Sequence, residues 1–374
     1  DACGRVLAEA LQSTVDVPPA DNSSMDGYAV RSGEVHGGVV RLPVSQRIAA
    51  GMMGQPLHPG SAARIFTGAP LPPGADSVVM QEHATAHADG SVTIHDAAAA
   101  GANIRRAGED IARGSAVLAP GMRLRPQDLG LAASVGIDEL IVKRRLRVAT
   151  FFTGDELVNP GGELAPGQIY NSNQVTINAL LREFGCEVVN LGIVEDTPKA
   201  TRSTLKHAAR QADLVITSGG VSVGEEDHVR MALEELGELC LWRISIKPGK
   251  PLAFGHIEET PFLGLPGNPV SAFVTFVLFV RPFMLTQLGV REVQPHSIRA
   301  RAAFDWPRKV ERREYVRARL QPSADGEAEI AIYANQGSGV LSSTSWAHGL
   351  AVLEENSAVA RGDTIAYIPY SELL

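Results

Sequence analysis

A glycine-rich turn followed directly by three acids stands out at residues 217–229, TSGGVSVGEEDHV. Its notable residues come in the order Gly219, Gly220, Gly224, Glu225, Glu226 and Asp227. Glycine permits positive φ and close approach, so the backbone N–H groups of such a turn can bind a phosphate or a similar anion. Carboxylates beside an anion would repel it, so their presence indicates that a cation shares the site.

Chemically related loops follow other apolar runs of the chain. They read TGDEL at 153–157, VEDTP at 194–198, KPGKP at 247–251 and LPGNPVS at 265–271, and they supply Asp155, Glu156, Asp196, Lys247 and Lys250. Ligands of open α/β sheets bind beyond the carboxyl ends of the strands, so we expect these loops to meet at one site. Mg²⁺ is usually held by one or two carboxylates plus substrate phosphates. The pattern therefore predicts Mg²⁺ beside an anionic substrate, with the two lysines on a surface loop.

Each of these groups also has a purely structural interpretation. Glu225 and Glu226 alone suit a solvated first turn of a helix, and Asp227 alone suits an N-cap. Asp196 could take part in capping with Thr197, and the KPGKP stretch could be only a turn. The combination of acids and cations, rather than any single residue, carries the prediction.

Apolar runs alternate with helical patterns in the middle of the chain, which predicts a parallel α/β sheet. Strands are expected at 146–152, 187–194 and 214–217, and helices at 174–184 and 198–211. Thr197 suits the cap of the second helix, and Pro198 suits its first position.

The flanking regions have a different character. Residues 1–145 are rich in Gly, Pro and Ala and contain only short apolar runs, which predicts small strands and turns. After residue 290, REYVRARL and EAEIAIYA alternate with period two, which predicts a small β domain. At roughly 150 residues per domain, a chain of 374 residues is expected to hold two to four domains.

Composition excludes several classes of partner. The chain has 34 Lys plus Arg against 42 Asp plus Glu, a net charge of −8 without a basic stripe, which argues against nucleic acid. The longest apolar run, residues 270–280, is shorter than the ~20 residues of a membrane span, and no membrane is expected. The isolated Cys3, Cys186 and Cys240 favour a reducing cytoplasm. Because the chain begins at Asp1 rather than Met, we expect it to be a piece of a longer protein.

An α/β hydrolase is one alternative enzyme. GVSVG at residues 220–224 fits the GxSxG nucleophile pattern, with Ser222 as the candidate nucleophile. That pattern needs a strand directly before the serine and a helix directly after it, whereas glycines flank this one on both sides. Three histidines could supply a base, and no feature selects among His256, His296 and His348. The hydrolase is therefore disfavoured.

A zinc site at His83 and His87 is a second alternative. The two histidines have helical i, i+4 spacing, but they lie in HATAHADG without a Glu in the motif position. The favoured interpretation is that these histidines are exposed in a loop.

The motifs GxGxxG and GxxxxGK[ST] do not occur in the sequence, which argues against the ordinary dinucleotide-binding and P-loop folds.

Nine ordered motifs together resemble the molybdopterin molybdenumtransferases of the MoeA type, which are related to the E domain of gephyrin. The matching stretches are NSSMDGYAV (22–30), RIFTGAPLPPGAD (64–76), GED (108–110), TGDEL, IYNSN (169–173), ITSGGVSVGEED (216–227), KPGKP, GLPGNPVS (264–271) and GSGVLSS (337–343). They span nearly the whole chain. The resemblance implies an enzyme that transfers molybdate to adenylylated molybdopterin with the help of Mg²⁺ and releases AMP.

The resemblance also implies an architecture and partners. An elongated N-terminal domain is expected at 1–20 and 105–145, an inserted β domain at 21–104, an α/β domain at 146–290 and a C-terminal β barrel at 291–374. A homodimer is implied, in which the α/β domain of one subunit meets the N-terminal domains of the other. Encounters with the molybdopterin adenylyltransferase and with acceptor molybdoenzymes are further implied.

Roles are carried over motif by motif. Asp26, Thr67 and Asp110 would approach from the partner subunit. Glu156 and Asp227 would lie nearest the metal, with Asp196 near the nucleotide. The substrate-binding residues implied by the remaining motifs are Ser218, Gly219, Gly220, Lys247, Lys250, Pro266, Asn268, Pro269 and Ser271.

Two departures from the family pattern and two alternatives remain. The family often has a second acid where this chain has Thr197. Phe152 occupies a position where the family frequently has Ser, and we expect this change to concern packing.

The related molybdopterin adenylyltransferase is disfavoured because it resembles the α/β domain alone. A non-catalytic scaffold, like gephyrin in receptor clustering, is disfavoured by the complete set of acids and lysines.

Overall fold

The computed structural model describes residues 2–220 and 228–374, apart from the side chain of Trp242. The chain divides into two compact units. The first unit comprises Asp1–Cys3 and Leu7–Val142, and the second comprises Gly4–Val6 and Lys143–Leu374. The finer division into four domains stays a prediction.

The first unit is built from short strands, as its composition indicates. Its elements are β1 (Leu11–Gln12), β2 (Asn22–Ser23), β3 (Gly27–Val30), β4 (Val40–Ile48), β5 (Ala62–Ile65), β6 (Ser77–Met80), β7 (Ala84–Ala86), β8 (Ser91–Ile94), β9 (Ile104–Arg105), β10 (Ala116–Leu118) and α1 (Pro126–Ser134). A six-stranded sheet has the order β6-β3-β5-β4-β8-β7, and two further pairs join β1 to β10 and β2 to β9. Helix α1 begins with Pro126 at its first position, and the Asp128 carboxylate accepts a hydrogen bond from the Arg125 N–H at 2.8 Å. This capping arrangement satisfies groups that a helix start leaves without partners.

The second unit begins with alternating strands and helices. These are β11 (Arg147–Thr153), β12 (Leu157–Val158), β13 (Ile169–Tyr170), α2 (Ser172–Glu183), β14 (Glu187–Val194), α3 (Pro198–Gln211) and β15 (Leu214–Ser218). Strand β14 and helix α3 have the bounds expected from the sequence. The cap of α3 is confirmed, since the Thr197 hydroxyl oxygen accepts a hydrogen bond from the Ala200 N–H at 3.3 Å and Pro198 occupies the first position.

The middle of this unit adds a hairpin and a long helix. The elements are α4 (His228–Leu236), β16 (Gly237–Arg243), β17 (Ile246–Lys247), β18 (Pro251–Ile257), β19 (Thr260–Leu265), α5 (Pro269–Thr275) and α6 (Arg281–Gln287). The main sheet has the order β14-β11-β15-β19-β18-β16. Its first four strands are parallel, as the alternation of strands and helices predicts. Strands β18 and β16 are antiparallel to their neighbours, a pairing that this alternation does not indicate.

Alternate residues of β11 pack on opposite faces of the sheet. Val148 and Phe152 contribute to a core with helices α2 and α5, whereas Ala149 and Phe151 contribute to a core with α3 and α4. Burial on both faces explains the continuous apolar run of this strand. Phe152 is 1% exposed, so this departure from the family pattern concerns packing.

The C-terminal strands form a closed barrel. They are β20 (Ile298–Ala302), β21 (Arg313–Pro322), β22 (Ala328–Ile332), β23 (Gly349–Leu353) and β24 (Thr364–Pro369), and helix α7 (Ser342–Trp346) lies between β22 and β23. The order β21-β22-β20-β24-β23 is closed by pairing of β23 with β21. Closure removes the exposed edges of an open sheet. This confirms the barrel expected at the C-terminus.

Among the residues that the structure describes, one helical stretch, Pro269–Gln287, has the length and hydropathy of a membrane span. It is continuous because a π-turn at Phe276–Val280 joins α5 to α6. Its most apolar window is 61% buried, and residues such as Val274 and Val277 pack in the core beneath the sheet. The burial accounts for its apolar composition as that of a core helix.

Candidate functional site

A pocket of about 1160 Å³ opens beyond the carboxyl ends of β11, β15 and β19. The strands are in register at this edge, with Phe152 opposite Ser218 and Ser218 opposite Leu265. The loops that follow the three strands therefore start side by side. The pocket brings together nine of the residues expected from the sequence, Glu156, Asp196, Ser218, Gly219, Gly220, Pro266, Asn268, Pro269 and Ser271.

The turn after β15 has the conformation expected of an anion-binding loop. Gly219 and Gly220 have φ values of 96° and 64°, which a residue with a side chain rarely adopts. A Cβ atom at Gly219 would lie 2.3 Å from the Thr153 carbonyl oxygen. Glycine is therefore required here both by φ and by the close approach of β11.

Two oxygen atoms on the pocket wall are buried without a hydrogen-bond partner among the described residues. They are Oδ1 of Asp196 and Oγ1 of Thr153. Native proteins rarely leave buried polar atoms unsatisfied, so such atoms in a pocket point to a ligand. Thr153 is a lining residue that the sequence analysis quoted in TGDEL without assigning it a role.

Glu156 adds a second carboxylate to this wall. Gly154, with φ of 150°, leaves room for it, since a Cβ atom there would lie 2.6 Å from Oε2 of Glu156. Asp196 and Glu156 line the same pocket, and carboxylate oxygens are the hard donors that Mg²⁺ prefers, so the donor types fit this ion. The neighbouring Asp155 is exposed and is not among the residues that line the pocket.

A small hydrogen-bond network fixes two pocket loops to each other. The Ser218 hydroxyl donates to the Pro266 carbonyl oxygen at 2.8 Å and accepts from the Asn173 side-chain amide at 2.9 Å. The same amide donates to the Gly267 carbonyl oxygen at 2.8 Å. The side chain of Ser218 thus holds the loops together. Asn173 belongs to the IYNSN motif, but sequence reasoning assigned no role to it, because its partners lie 45 and 94 residues away.

The long helix presents its N-terminus to the pocket. Asn268 precedes its first residue, Pro269, and the side chain of Ser271 is in the first turn, 4% exposed. The positive end of the helix dipole favours an anion at this position. The C-terminal barrel region completes the wall through Gly339 and Leu341, and the Val270 N–H donates to the Ser338 carbonyl oxygen at 3.0 Å.

The KPGKP loop lies against the same helix. Gly249 has φ of 113°, and a Cβ atom there would lie 2.5 Å from Cγ2 of Thr275 and 3.7 Å from the Ser271 carbonyl oxygen. Pro251 of the loop lines the pocket. Lys250 is exposed, as expected, but neither Lys247 nor Lys250 is among the residues that line the pocket.

Lys247 is more constrained than a surface lysine, which corrects the expectation for this loop. Strand β17 pairs with β21 so that Lys247 lies opposite Glu314. Nζ of Lys247 is 3.1 Å from Oε1 of Glu314, whose side chain is only 9% exposed. Arg308 approaches the same oxygen at 3.7 Å. Sequence reasoning assigned Glu314 only to a strand, because its partner lies 67 residues away.

The first unit holds the other three expected residues. Oδ1 of Asp26 accepts hydrogen bonds from the Thr67 N–H at 2.8 Å and from the Thr67 hydroxyl at 2.7 Å. The backbone N–H and then the hydroxyl of Thr67 hold the pKa of Asp26 below its ordinary value, so the carboxylate is ionised near neutral pH. Asp110 is exposed, and its N–H donates to the Val17 carbonyl oxygen at 3.0 Å.

Several predicted residues lie outside the described residues. They are Ser222, Gly224, Glu225, Glu226 and Asp227. The assignment of Asp227 to a metal therefore stays a prediction.

Three family models match consecutive parts of the chain. Residues 1–136 match the MoeA N-terminal region (domain I and II), residues 149–286 match the probable molybdopterin binding domain, and residues 299–370 match the MoeA C-terminal region (domain IV). Together the matches cover most of both structural units.

Relatives with curated names match over most of their length. A molybdopterin molybdenumtransferase of Haemophilus influenzae is 41% identical over 377 residues, which cover 100% of this chain and 93% of the relative. One of Bacillus subtilis is 36% identical over 329 residues, which cover 85% of this chain and 76% of the relative. The crystal structure of the molybdopterin biosynthesis MoeA protein from Pyrococcus horikoshii OT3 matches with a TM-score of 0.85 at 29% identity, covering 99% of this chain and 93% of that one.

We expect Gly219→Ala to destabilise the second unit by about 1–3 kcal/mol, because alanine would be strained at positive φ and would clash with Thr153. Gly267→Ala is the matched control, since a Cβ atom there has no neighbour within 4 Å, and its effect should stay within about 0.5 kcal/mol. All three tryptophans, Trp242, Trp306 and Trp346, lie in the second unit, so urea unfolding followed by tryptophan fluorescence measures its stability. Equal stability of the two variants would contradict the close approach.

Proposed function

This chain belongs to the molybdopterin molybdenumtransferase family, and we propose that it inserts molybdenum from molybdate into adenylylated molybdopterin and releases AMP. It is an enzyme of molybdenum cofactor biosynthesis. One observation supports the detailed reaction most directly. The pocket wall places the unsatisfied carboxylate oxygen of Asp196 at the site where a glycine turn and a helix N-terminus can bind phosphate.

The central difficulty of the proposed reaction is electrostatic. The pyrophosphate of the adenylylated substrate and molybdate are both anions, and their repulsion grows in a site of low dielectric constant. The Gly220 N–H in the glycine turn, together with the positive end of the helix that starts at Pro269, would attract phosphate oxygens. Lys247 and Lys250 would bind molybdate, with the Ser271 hydroxyl as a further donor. Together these groups would offset the negative charge of the two anions.

Asp196 and Glu156 would hold Mg²⁺, and we propose Asp227 as a further ligand. When bound there, Mg²⁺ would supply positive charge that offsets the phosphates and stabilises the departing AMP. The carboxylates of the chain have a second role, because an ionised acid beside bound water can orient that water. Thr153, whose hydroxyl is free of other partners in the described chain, can donate to a substrate oxygen on the same wall.

We expect purified protein to release AMP from adenylylated molybdopterin only when molybdate is added. Glu156→Gln should lower the rate at limiting Mg²⁺ by at least about tenfold, because a neutral amide binds Mg²⁺ poorly, and added Mg²⁺ should recover part of it. Asp155→Asn, which removes the adjacent exposed acid, should leave the rate unchanged. A Glu156→Gln enzyme that matches wild type across the whole Mg²⁺ titration would show that this acid does not hold the metal.

The same assay separates the alternatives. An adenylyltransferase would consume ATP and unmodified molybdopterin, and a scaffold would bind ligand without releasing AMP. Matches to both the N-terminal and C-terminal family regions disfavour the adenylyltransferase, which resembles only the α/β domain. ATP-dependent adenylylation with no molybdate-dependent AMP release would reverse this preference.

The two lysines should behave differently when replaced. Lys250→Ala should raise the molybdate concentration required for half-maximal rate by about tenfold or more, with little change in stability, since a charge-assisted hydrogen bond contributes roughly 1.5–3 kcal/mol. Lys247→Ala should also destabilise the protein by about 1–3 kcal/mol, because the nearly buried Glu314 loses its nearer cation.

The double variant Lys247→Ala/Glu314→Gln should regain much of that stability but none of the molybdate affinity. Lys199→Ala, on the exposed face of α3, is the control for removal of a charge. Unfolding and steady-state titrations of these variants separate the two effects. Unchanged stability of Lys247→Ala would mean that the ion pair with Glu314 contributes nothing.

We further propose a cytoplasmic homodimer in which Asp26, Thr67 and Asp110 of one subunit serve the pocket of its partner. The hydrogen bonds from Thr67 support this role, because they keep Asp26 ionised and oriented. The adenylyltransferase and acceptor molybdoenzymes are the proposed transient partners.

Analytical sedimentation of the wild-type protein should give the mass of a dimer. Mixed dimers that contain one Asp26→Ala subunit and one Asp196→Ala subunit should be active, although the homodimer of each variant is inactive. Each such dimer would contain one intact site of two, so the recovered rate should approach half that of wild type. Homodimers of each variant are the controls, and both should be inactive. Purified mixed dimers that stay inactive would place Asp26 and Asp196 in the same subunit's site, and a monomer would exclude the proposal altogether.

A further inference from the structure

Three side chains able to bind a transition metal meet on the edge of the main sheet, apart from the pocket. Glu238 and Cys240 lie on the edge strand β16, and His256 lies on the neighbouring β18. Their oxygen, sulfur and nitrogen donor atoms all lie within 4.8 Å of one another. Among the residues that the structure describes, no other group of three acids, cysteines or histidines is as close.

The strand pairing brings these side chains to one place. Glu238 lies directly opposite His256 in the antiparallel ladder. The register shifts between Leu239 and Leu241, so Cys240 is the residue without a partner on β18. Such bulges redirect a side chain relative to a regular strand. Glu238 and Cys240 are exposed, so an ion in solution can reach them.

The orientation of the imidazole is that of a metal ligand. Nδ1 of His256 is 2.9 Å from the Glu258 carbonyl oxygen, which can only accept a hydrogen bond, so Nδ1 carries the proton. Nε2 then faces Oε2 of Glu238 at 3.3 Å, where it forms an ion pair when protonated and presents its lone pair when neutral. A lone pair and a carboxylate oxygen repel each other unless a proton or a metal ion lies between them. Ligating histidines generally donate their other ring N–H to a carbonyl or carboxylate in this way.

We propose that Glu238, Cys240 and His256 form a binding site for a divalent transition metal, with Zn²⁺ as the expected ion. Thiolate, imidazole and carboxylate are all zinc ligands, bound at roughly 2.0 to 2.3 Å, which sets neighbouring donors roughly 3.3 to 3.8 Å apart. Small rotations of exposed side chains bring the three donors to that spacing. A thiolate and a carboxylate together neutralise the ion, and water completes the tetrahedron on the solvent side.

The site would stabilise the edge of the sheet next to the substrate loop. Strands β16 and β18 flank residues 244–250, which carry Lys247 and Lys250. Strand β16 precedes this loop and strand β18 follows it, so an ion bound to both strands would hold the two ends of the loop together. The metal site depends only on the strand pairing, so it stands or falls independently of the proposed reaction.

Co²⁺ is a suitable probe, because a cobalt–thiolate bond gives a charge-transfer absorption band that oxygen and nitrogen ligands do not give. We expect the reduced full chain to bind one equivalent of Co²⁺ with this band, and Zn²⁺ to displace it. Cys240→Ser should abolish the band. Cys3→Ser, which removes the other exposed cysteine, is the matched control and should retain it.

The affinity for Zn²⁺ tests the roles of His256 and Glu238. His256→Gln and Glu238→Gln should each weaken Zn²⁺ binding at least tenfold in competition with a chromophoric chelator. Zn²⁺ should raise the melting temperature of wild type and of Cys3→Ser but not that of Cys240→Ser. Absence of the thiolate band in folded wild-type protein, or its persistence in Cys240→Ser, would overturn the proposal and leave Glu238 and His256 as an ordinary ion pair across the strands. Mg²⁺ does not form such a band, so the readout is independent of the pocket.

Discussion

The parallel register of β11, β15 and β19 is the constraint on which the candidate site depends. It aligns Phe152, Ser218 and Leu265 across three neighbouring strands, so that three loops begin at one edge of the sheet. Gly219 then approaches the end of β11 too closely for any side chain. A shift of one residue in this register would reverse which face each side chain occupies and would separate the loops. The glycine turn, the acids and the helix start form one pocket only because this register holds.

Polar side chains around the pocket fall into two groups. Ser218 and Asn173 have their hydrogen bonds satisfied by neighbouring loops, so they maintain the shape of the site. Arg317 acts similarly, although burial lowers the pKa of its guanidinium to about 10; it donates to the Ser343 hydroxyl at 3.0 Å and to the Gly337 carbonyl oxygen at 3.2 Å. Asp196, in contrast, has a buried oxygen without a hydrogen-bond partner among the described residues. The satisfied hydrogen bonds thus identify residues that maintain the shape of the pocket.

The barrel region contributes to the pocket as well as to its own core. Pairing of β17 with β21 fixes Lys247 opposite Glu314, and a backbone bond from Val270 to Ser338 joins the long helix to the GSGVLSS loop. A nearly buried carboxylate restrains the lysine without covering it, since the Lys247 side chain remains 40% exposed. The KPGKP loop is thus oriented by residues far away in the sequence.

The sequence by itself determined the local features and the chemistry. Helix α3 and its Thr197 cap follow from the order of a few adjacent residues, and the sequence indicated both the family and nine of the residues that line the pocket. Only the tertiary structure decided that β16 and β18 are antiparallel, that Glu314 pairs with Lys247, and that Cys240 and His256 are neighbours. Capping and helical periodicity act over a few residues and leave a local pattern. Strand pairing and ion pairs join residues distant in the chain, and their energies depend on packing that no single stretch of sequence contains.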